Sequence, residues 1–447
     1  MIMKKNILIL VIALLFLQLP ISNQVFGQNF PLKLSSNGRY FVDSDDKPFL
    51  INGDTPWLLI QKLTLEEVKF FLDNRVAKKF NTIQIMLNDY HSPVNDLNRE
   101  GNRPFGNEND FSTIDEAYFL FVDKVITEAR LRGLGIIMAP LWRDCCSEGW
   151  RPALNANGVT KSRQFGEYLG TRYSRANHPN FIGWMMGGDH IVDDTYDEYK
   201  AVAEGIKAKD PGVFLTYHTN PVGKSTDQVS DAWLNLNSVY TQDIYVDSDE
   251  AYALTPVMPF YLSEAKYEGL LANNTQDNAA PYIVRRQAYW SILCGSAGHI
   301  YGTDAWDVNS NWKEFLDLPG AIDISYMYAF FTSIEWATLV PDKSQTLVTE
   351  GFGTYGNDDY VTSALTSDGK VGVAYLASTG TNTRTLTVDM SKLTGTVTAK
   401  WFNPNTGIYT TIGSYVNCGS RNFISLGING ESANDWILIL DARGYDY

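Results

Sequence analysis

The chain has 447 residues, 44% of them hydrophobic and 19% charged, with a formal net charge of −15. That composition belongs to a folded protein with room for one large core and one small one, and it excludes a disordered chain. The acidic balance argues against nucleic acid and anionic membrane as partners.

Lys4 and Lys5 open the chain, an apolar run follows from Ile7 to Leu19, and Val25-Phe26-Gly27 precedes Gln28. A basic start, a short apolar stretch and a small residue describe a secretory signal peptide over 1–27, cleaved after Gly27. That run is short for a membrane span, and no later segment is apolar for long enough to be one. The mature product is expected to be periplasmic or secreted, and monomeric.

Leu32 to Ser36 and Arg39 to Val42 flank Asn37-Gly38, a hairpin signal. Phe49 to Asp54 reads as a first buried strand, and Thr64-Leu65-Glu66-Glu67 has the capping-box pattern of a helix running to Lys79. Strands then follow at Thr82–Leu87, ending in Asn88 and Asp89 with Tyr90-His91, and at Gly135–Leu141, ending in Trp142-Arg143-Asp144. Gly183–Asp189 is the fourth strand, Val213–Tyr217 ends at His218, and Ser238–Tyr240 ends near Gln242. Val257–Glu264 is the seventh, and His299–Asp304 the last, with Trp306 close behind. Helices are expected between them over 113–132, 161–174, 195–209 and 282–294, and a long helical stretch over 312–335 closes the series. Eight strand–helix units in ~300 residues describe a (β/α)8 TIM barrel, an α/β fold whose active site lies at the C-terminal ends of the strands. A doubly wound sheet is the rival.

Beyond Pro341 the pattern changes to short alternating runs between Ser-Asp-Gly, Thr-Gly-Thr and Asn-Pro-Asn turns. The organisation expected is a signal peptide over 1–27, a barrel with an N-terminal hairpin over 28–340, and a small antiparallel β-sandwich over 341–447.

Two apolar runs each deliver a carboxylate: Phe181 to Gly188 leads to Asp189 beside His190, and Val257 to Ser263 leads to Glu264. Glycoside hydrolysis needs one carboxyl group to protonate the leaving oxygen and a second to attack the anomeric carbon or activate water. Asp189 and Glu264, at the fourth and seventh strand ends, meet that need, with Glu268 as a local competitor assigned to substrate or support. Asp54, Asp89, Asp144 and Asp304 are read either as ligands of sugar hydroxyls, the reading favoured for Asp54, or as hydrogen-bonding groups among the loops, with Asn88 and Gln242 beside such strand ends. His190 and His218 are read as hydroxyl donors or orienters, and Arg143 as a partner for a substrate carboxylate or for Asp144. Trp57 is a candidate stacking platform for a sugar ring, and Trp142 and Trp306 are read equally as platforms or as core.

Other chemistries find no pattern: there is no Gly-x-Ser-x-Gly elbow, phosphate loop or His-Glu-x-x-His. No metal or organic cofactor is expected, because the five histidines do not cluster and the acidic runs 43–46 and 247–250 lack a calcium-loop pattern. Cys145, Cys146, Cys294 and Cys418 form no disulfide framework, and the adjacent pair could join only under strain.

Asn52-Gly53-Asp54-Thr55-Pro56-Trp57, Gly187-Gly188-Asp189 and Glu264 with Tyr267-Glu268-Gly269, in that order and spacing, resemble the apiosidase-like proteins of glycoside hydrolase family 140. Trp401 to Gly407 is similar to a motif of the small domain that follows the barrel in that family and carries a collagen-binding label. The resemblance covers the whole mature chain. It implies a retaining, exo-acting hydrolase with Asp189 as general acid/base and Glu264 as nucleophile, their carboxyl groups ~5–5.5 Å apart. The substrate it implies is a terminal apiose linked to galacturonic acid in side chains of rhamnogalacturonan II, a plant pectin. An endo-acting mannanase- or cellulase-like hydrolase and a non-catalytic glycan-binding protein are the alternatives.

Overall fold

The computed structural model describes residues 29–89, 97–107, 110–221, 223–270 and 278–444; the leader read over 1–27, and Tyr90 and His91, lie outside them. The polar loop ends inferred from sequence sit on eight parallel strands: β1 (Ile51–Asp54), β2 (Thr82–Met86), β3 (Gly135–Ala139), β4 (Phe181–Gly187), β5 (Phe214–His218), β6 (Asn237–Tyr240), β7 (Phe260–Glu264) and β8 (Gly298–Tyr301). β8 pairs with β1, so the sheet wraps round into a TIM-type barrel.

Seven of the eight junctions carry a parallel ladder; between β5 and β6 the closure is made by side chains and loop backbone instead. Ser225 Oγ donates to the Tyr217 carbonyl at 2.6 Å and accepts from Ser238 N at 2.8 Å, while Asn235 Oδ1 takes Leu215 N at 2.7 Å. The polar groups of the seam are thereby met without a ladder, as buried backbone requires. A short strand, Gly223–Lys224, pairs antiparallel with β6 and makes the ninth member of the sheet.

Helices cover the outside: α1 (Leu65–Ala77), α2 (Glu116–Leu131), α3 (Arg151–Arg172), α4 (Tyr196–Lys209), α5 (Ile244–Tyr252), α6 (Pro281–Leu293) and α7 (Pro319–Ser333). Thr64 closes a full capping box with Glu67, as its sequence predicts. α3 begins ten residues before the predicted start, because Pro152 suits a first helical turn and Gly158 takes up a kink at φ 61°. The expected continuous helix over 312–335 is broken: Trp312–Phe315 is a 3-10 turn, and Pro319 forces Leu318 out of helical geometry before α7 starts. Phe49 leaves the predicted first strand for a three-stranded antiparallel meander, Lys33–Leu34, Phe41–Val42 and Pro48–Phe49, at the chain's N-terminal side of the barrel.

The barrel interior is partly polar. Tyr261 OH donates to Gln84 Oε1 at 3.1 Å, and Gln84 Nε2 donates to the Ser263 carbonyl at 3.0 Å, tying β2 to β7 just below Glu264.

After α7, strand Leu339–Pro341 pairs with Thr362–Thr366 and enters a six-stranded antiparallel sheet; Val348–Glu350, Thr385–Asp389 and Ser420–Ile424 form a second sheet of three. Apolar side chains between the sheets, Trp401, Leu386, Val388 and Leu438 among them, are fully buried, which makes this unit a β-sandwich. Its outer face meets α6 and α7: Tyr289 stacks on Tyr375 with ring centres 4.8 Å apart, and Phe330 packs on Phe402 at 4.9 Å. Arg285 of α6, fully buried, makes two 2.8 Å bonds to Asp435, one at 2.9 Å to Glu431 and another to Asp323. Asp435 also accepts from Tyr375 OH and Asn429 Nδ2, so the buried charges are met on both sides.

Removing that cation leaves Asp435, Asp323 and Glu431 without their counter-charge. Arg285→Ala is expected to lower the free energy of unfolding by about 3–5 kcal/mol, read by chemical denaturation.

Candidate active site

β4 climbs through buried Trp184, Met185 and Met186 to two glycines before presenting Asp189. Both glycines are demanded by their surroundings. Gly187 has φ 82°, and a Cβ there would lie 2.6 Å from the His218 carbonyl; one on Gly188 would lie 2.1 Å from the Arg143 carbonyl. The backbone is held to both neighbours, with Arg143 N donating to Gly187 O at 3.0 Å and Gly188 N to His218 O at 3.2 Å.

This close packing brings three ends together. Asp189, His218 of β5 and Glu264 of β7 each have a carboxyl oxygen or ring nitrogen within 4.8 Å of the others. His218 is fully buried; its Nε2 lies 2.9 Å from Glu264 Oε2 and its Nδ1 3.6 Å from Asp189 Oδ1. A carboxylate oxygen can only accept, so His218 Nε2 carries the proton and donates. Tyr267 OH donates to the other Glu264 oxygen at 2.8 Å and is itself fixed by Trp57 Nε1 at 2.9 Å.

Burial pushes the Asp189 carboxyl up to about 8, and the charges of Glu264 and Asp144 add to the rise against the opposing pull of His218. Of the two acids, Asp189 is the one driven toward its protonated form. Burial works against a charge on His218, but the hydrogen bond and charge of Glu264, with Asp189, outweigh it and hold the imidazole above its ordinary value. One carboxyl group can give a proton while the other is gripped by two donors.

The remaining predicted residues divide by which way their strand ends face. Trp57 and Trp142 reach the site but are buried: they pack against each other at 4.8 Å, and Trp142 lies 4.8 Å from the His218 ring, so they support it from below and present no open face. Arg143 is committed to Asp193 at 2.8 Å and to the carbonyls of Asp144 and Ser147. Asp54 points into the helix layer, where it pairs with buried Arg75 of α1 at 3.2 Å. Glu268 accepts from Tyr301 OH and from Gly320 N at the start of α7, a helix-capping position. Asn88 donates to the Pro140 carbonyl, the Asp89 carbonyl accepts from Trp150 Nε1, and Asp304 accepts from Asn309. His190, partly exposed, bonds the Ile191 carbonyl; Gln242 is exposed, and Trp306 accepts from Leu58 N through its carbonyl.

Sequence reasoning passed over Tyr267, although its place three residues after Glu264 was a usable signal, and Tyr240, whose ring lies 4.8 Å from His218. It also set aside the bond that forms between Cys145 and Cys146. Cys145 sits within 4.8 Å of oxygens of Asp144 and Asp189, but a disulfide sulfur offers no thiolate to a metal. In the central triad both Glu264 oxygens already accept hydrogen bonds, from His218 and Tyr267.

A family model described as "Apiosidase-like, catalytic domain" matches residues 35–338. The chain belongs to the apiosidase-like family. A model described as "Putative collagen-binding domain of a collagenase" matches residues 340–441. Among curated proteins, none matches the sequence of this apiosidase-like chain. Among solved structures, a glycoside hydrolase family 5 protein from Bacteroides vulgatus ATCC 8482 superposes with a TM-score of 0.81 at 24% identity, covering 93% of this chain and 94% of its own. A structure described as a glycoside hydrolase gives a TM-score of 0.79 at 25% identity over 94% and 98%. Family and fold make the apiosidase-like chain a glycosidase, and its partner a carbohydrate. No helix among the described residues is long and apolar enough to cross a membrane.

Two outcomes follow from the site's electrostatics. His218→Ala should lower kcat by about 10²-fold through loss of the grip on Glu264, with a smaller change in KM. Asp189→Asn removes a carboxyl whose folded value lies far above its unfolded one, so it should raise the melting temperature, by a margin that grows from about pH 4 to pH 8.

Proposed function

We propose that this glycosidase is a retaining, exo-acting enzyme that releases terminal apiose from side chains of rhamnogalacturonan II. The observation that carries the mechanism is the separation of the two acids: oxygens of Asp189 and Glu264 lie within 4.8 Å of each other. Retaining glycosidases hold their carboxyl groups ~5–5.5 Å apart, whereas inverting ones leave about 6.5–9.5 Å for a water.

Protonated Asp189 donates to the glycosidic oxygen as Glu264 attacks the anomeric carbon, forming a glycosyl-enzyme. Bond formation consumes the charge on Glu264 that helped to raise Asp189, so Asp189 becomes a better acid as it loses its proton. It then takes a proton from the water that releases the sugar. The Nε2–H that His218 donates offsets negative charge on Glu264, and Tyr267 holds Glu264 in line.

The sugar, its linkage and the exo mode are supported by the family match and by the motif order from Asn52 to Gly269. Export is supported by the leader pattern in the first 27 residues.

Incubation with rhamnogalacturonan II oligosaccharides should give free apiose from the wild type, with a loss of about 10³-fold or more in Glu264→Ala and Asp189→Asn. Equal release from Glu264→Ala would overturn the mechanism. Because the acid must carry its proton, kcat/KM should fall above about pH 8, approaching tenfold per pH unit.

A further inference from the structure

The bond between Cys145 and Cys146 has no account in folding energetics. A disulfide stabilises mainly by restricting the unfolded chain, and the effect grows with the loop it closes. Here the sequence separation is one, so almost no chain freedom is removed. What the bond does create is a stiff, local patch of surface.

Its position gives that patch a use. Both cysteines are exposed, and Cys145 Sγ lies within 4.8 Å of carboxyl oxygens of Asp144 and Asp189. The underside of the loop is bonded throughout. Trp150 N donates to the Trp142 carbonyl at 3.0 Å, the Arg143 guanidinium fills the turn by donating to the carbonyls of Asp144 and Ser147, and Arg143 N bonds Gly187 O. Gly188 packs directly on the Arg143 backbone, where even a Cβ would collide. The sulfur pair is thus fixed relative to the acid that protonates the leaving group.

Sugar rings rest on apolar surfaces through their C–H faces, a task usually given to aromatic rings. The tryptophans nearest the acid pair do not offer one, since Trp57 and Trp142 are 3% and 2% exposed. A disulfide is apolar, polarisable and free of rotamer entropy, and so serves the same dispersion contact.

We propose that the Cys145–Cys146 disulfide is the platform for the leaving-group sugar, which it contacts through the C–H face of a pyranose ring. The assignment to the leaving-group side rests on the proposed mechanism, because the general acid faces the oxygen that departs with that sugar.

The test compares wild type, Cys145→Ser/Cys146→Ser, and wild type reduced with a phosphine, on rhamnogalacturonan II oligosaccharides. Thiol titration follows reduction against the background of exposed Cys418, with Cys294 buried. The platform predicts that KM rises about fivefold in both altered forms while kcat changes less than about twofold, and that reoxidation restores KM. Saturating oligosaccharide should also slow reduction of the bond. If both altered forms keep their melting temperature and their KM, the platform is overturned and the hydrolase reading stands. If wild type with the bond intact cleaves neither this substrate nor a panel of pectic and mannan oligosaccharides, the hydrolase reading falls and takes the platform with it.

Discussion

Two carboxyl groups held within 4.8 Å of each other, largely out of water, are the constraint to which the rest of this molecule answers. Both cannot be charged there without cost, and the site meets the cost by dividing the work. Asp189 keeps its proton, Glu264 receives two hydrogen bonds, and a buried imidazole lies between them. Trp57, Trp142 and Tyr240 close around that imidazole and exclude solvent, which strengthens each interaction among the charges. Below, the Gln84 bridge across the barrel and the Ser225 seam keep the strand ends at fixed separations.

Much of this was legible in the chain. A buried parallel strand is a continuous apolar run, so the strands and the residues at their ends could be counted directly, and the fourth and seventh ends are the two that meet. Thr64 and Glu67 announced a helix start that the structure reproduces. Other features were not legible, for physical reasons. Alternation along a strand sends Asn52 and Asp54 outward, and an acid at a strand end reads the same whether it faces the barrel mouth or Arg75 in the helix layer. Glu268 looks equivalent to Glu264 in sequence because only the fold reveals that the N-terminus of α7 claims it. An aromatic residue near an acid announces contact but not which face is free, and Trp57 and Trp142 are spent on supporting His218. The seam between β5 and β6 depends on single side chains well separated in sequence from the groups they bond, such as Asn235 with Leu215, and no periodicity encodes that.

The glycines at 187 and 188 show how sequence and chemistry are joined. They read as flexibility, but in the structure they act through the absence of a side chain: three neighbouring strand ends can press together only where no Cβ intervenes. Close backbone approach is what carries Asp189 into reach of His218.

The contacts of α6 bear on how freely this architecture can be rearranged. Gln287 on α6 makes two hydrogen bonds to the backbone of Lys266, the second residue after Glu264, and on the same helix Arg285 is locked to Asp435 of the sandwich. The small unit therefore reaches, through one helix, the loop that follows Glu264. Fusions and shuffled genes commonly assume that an accessory unit can be exchanged like a cartridge. In this protein such an exchange would have to transplant the arginine's counter-charges together with the sheet, and evolution of the two parts is tied to the same degree.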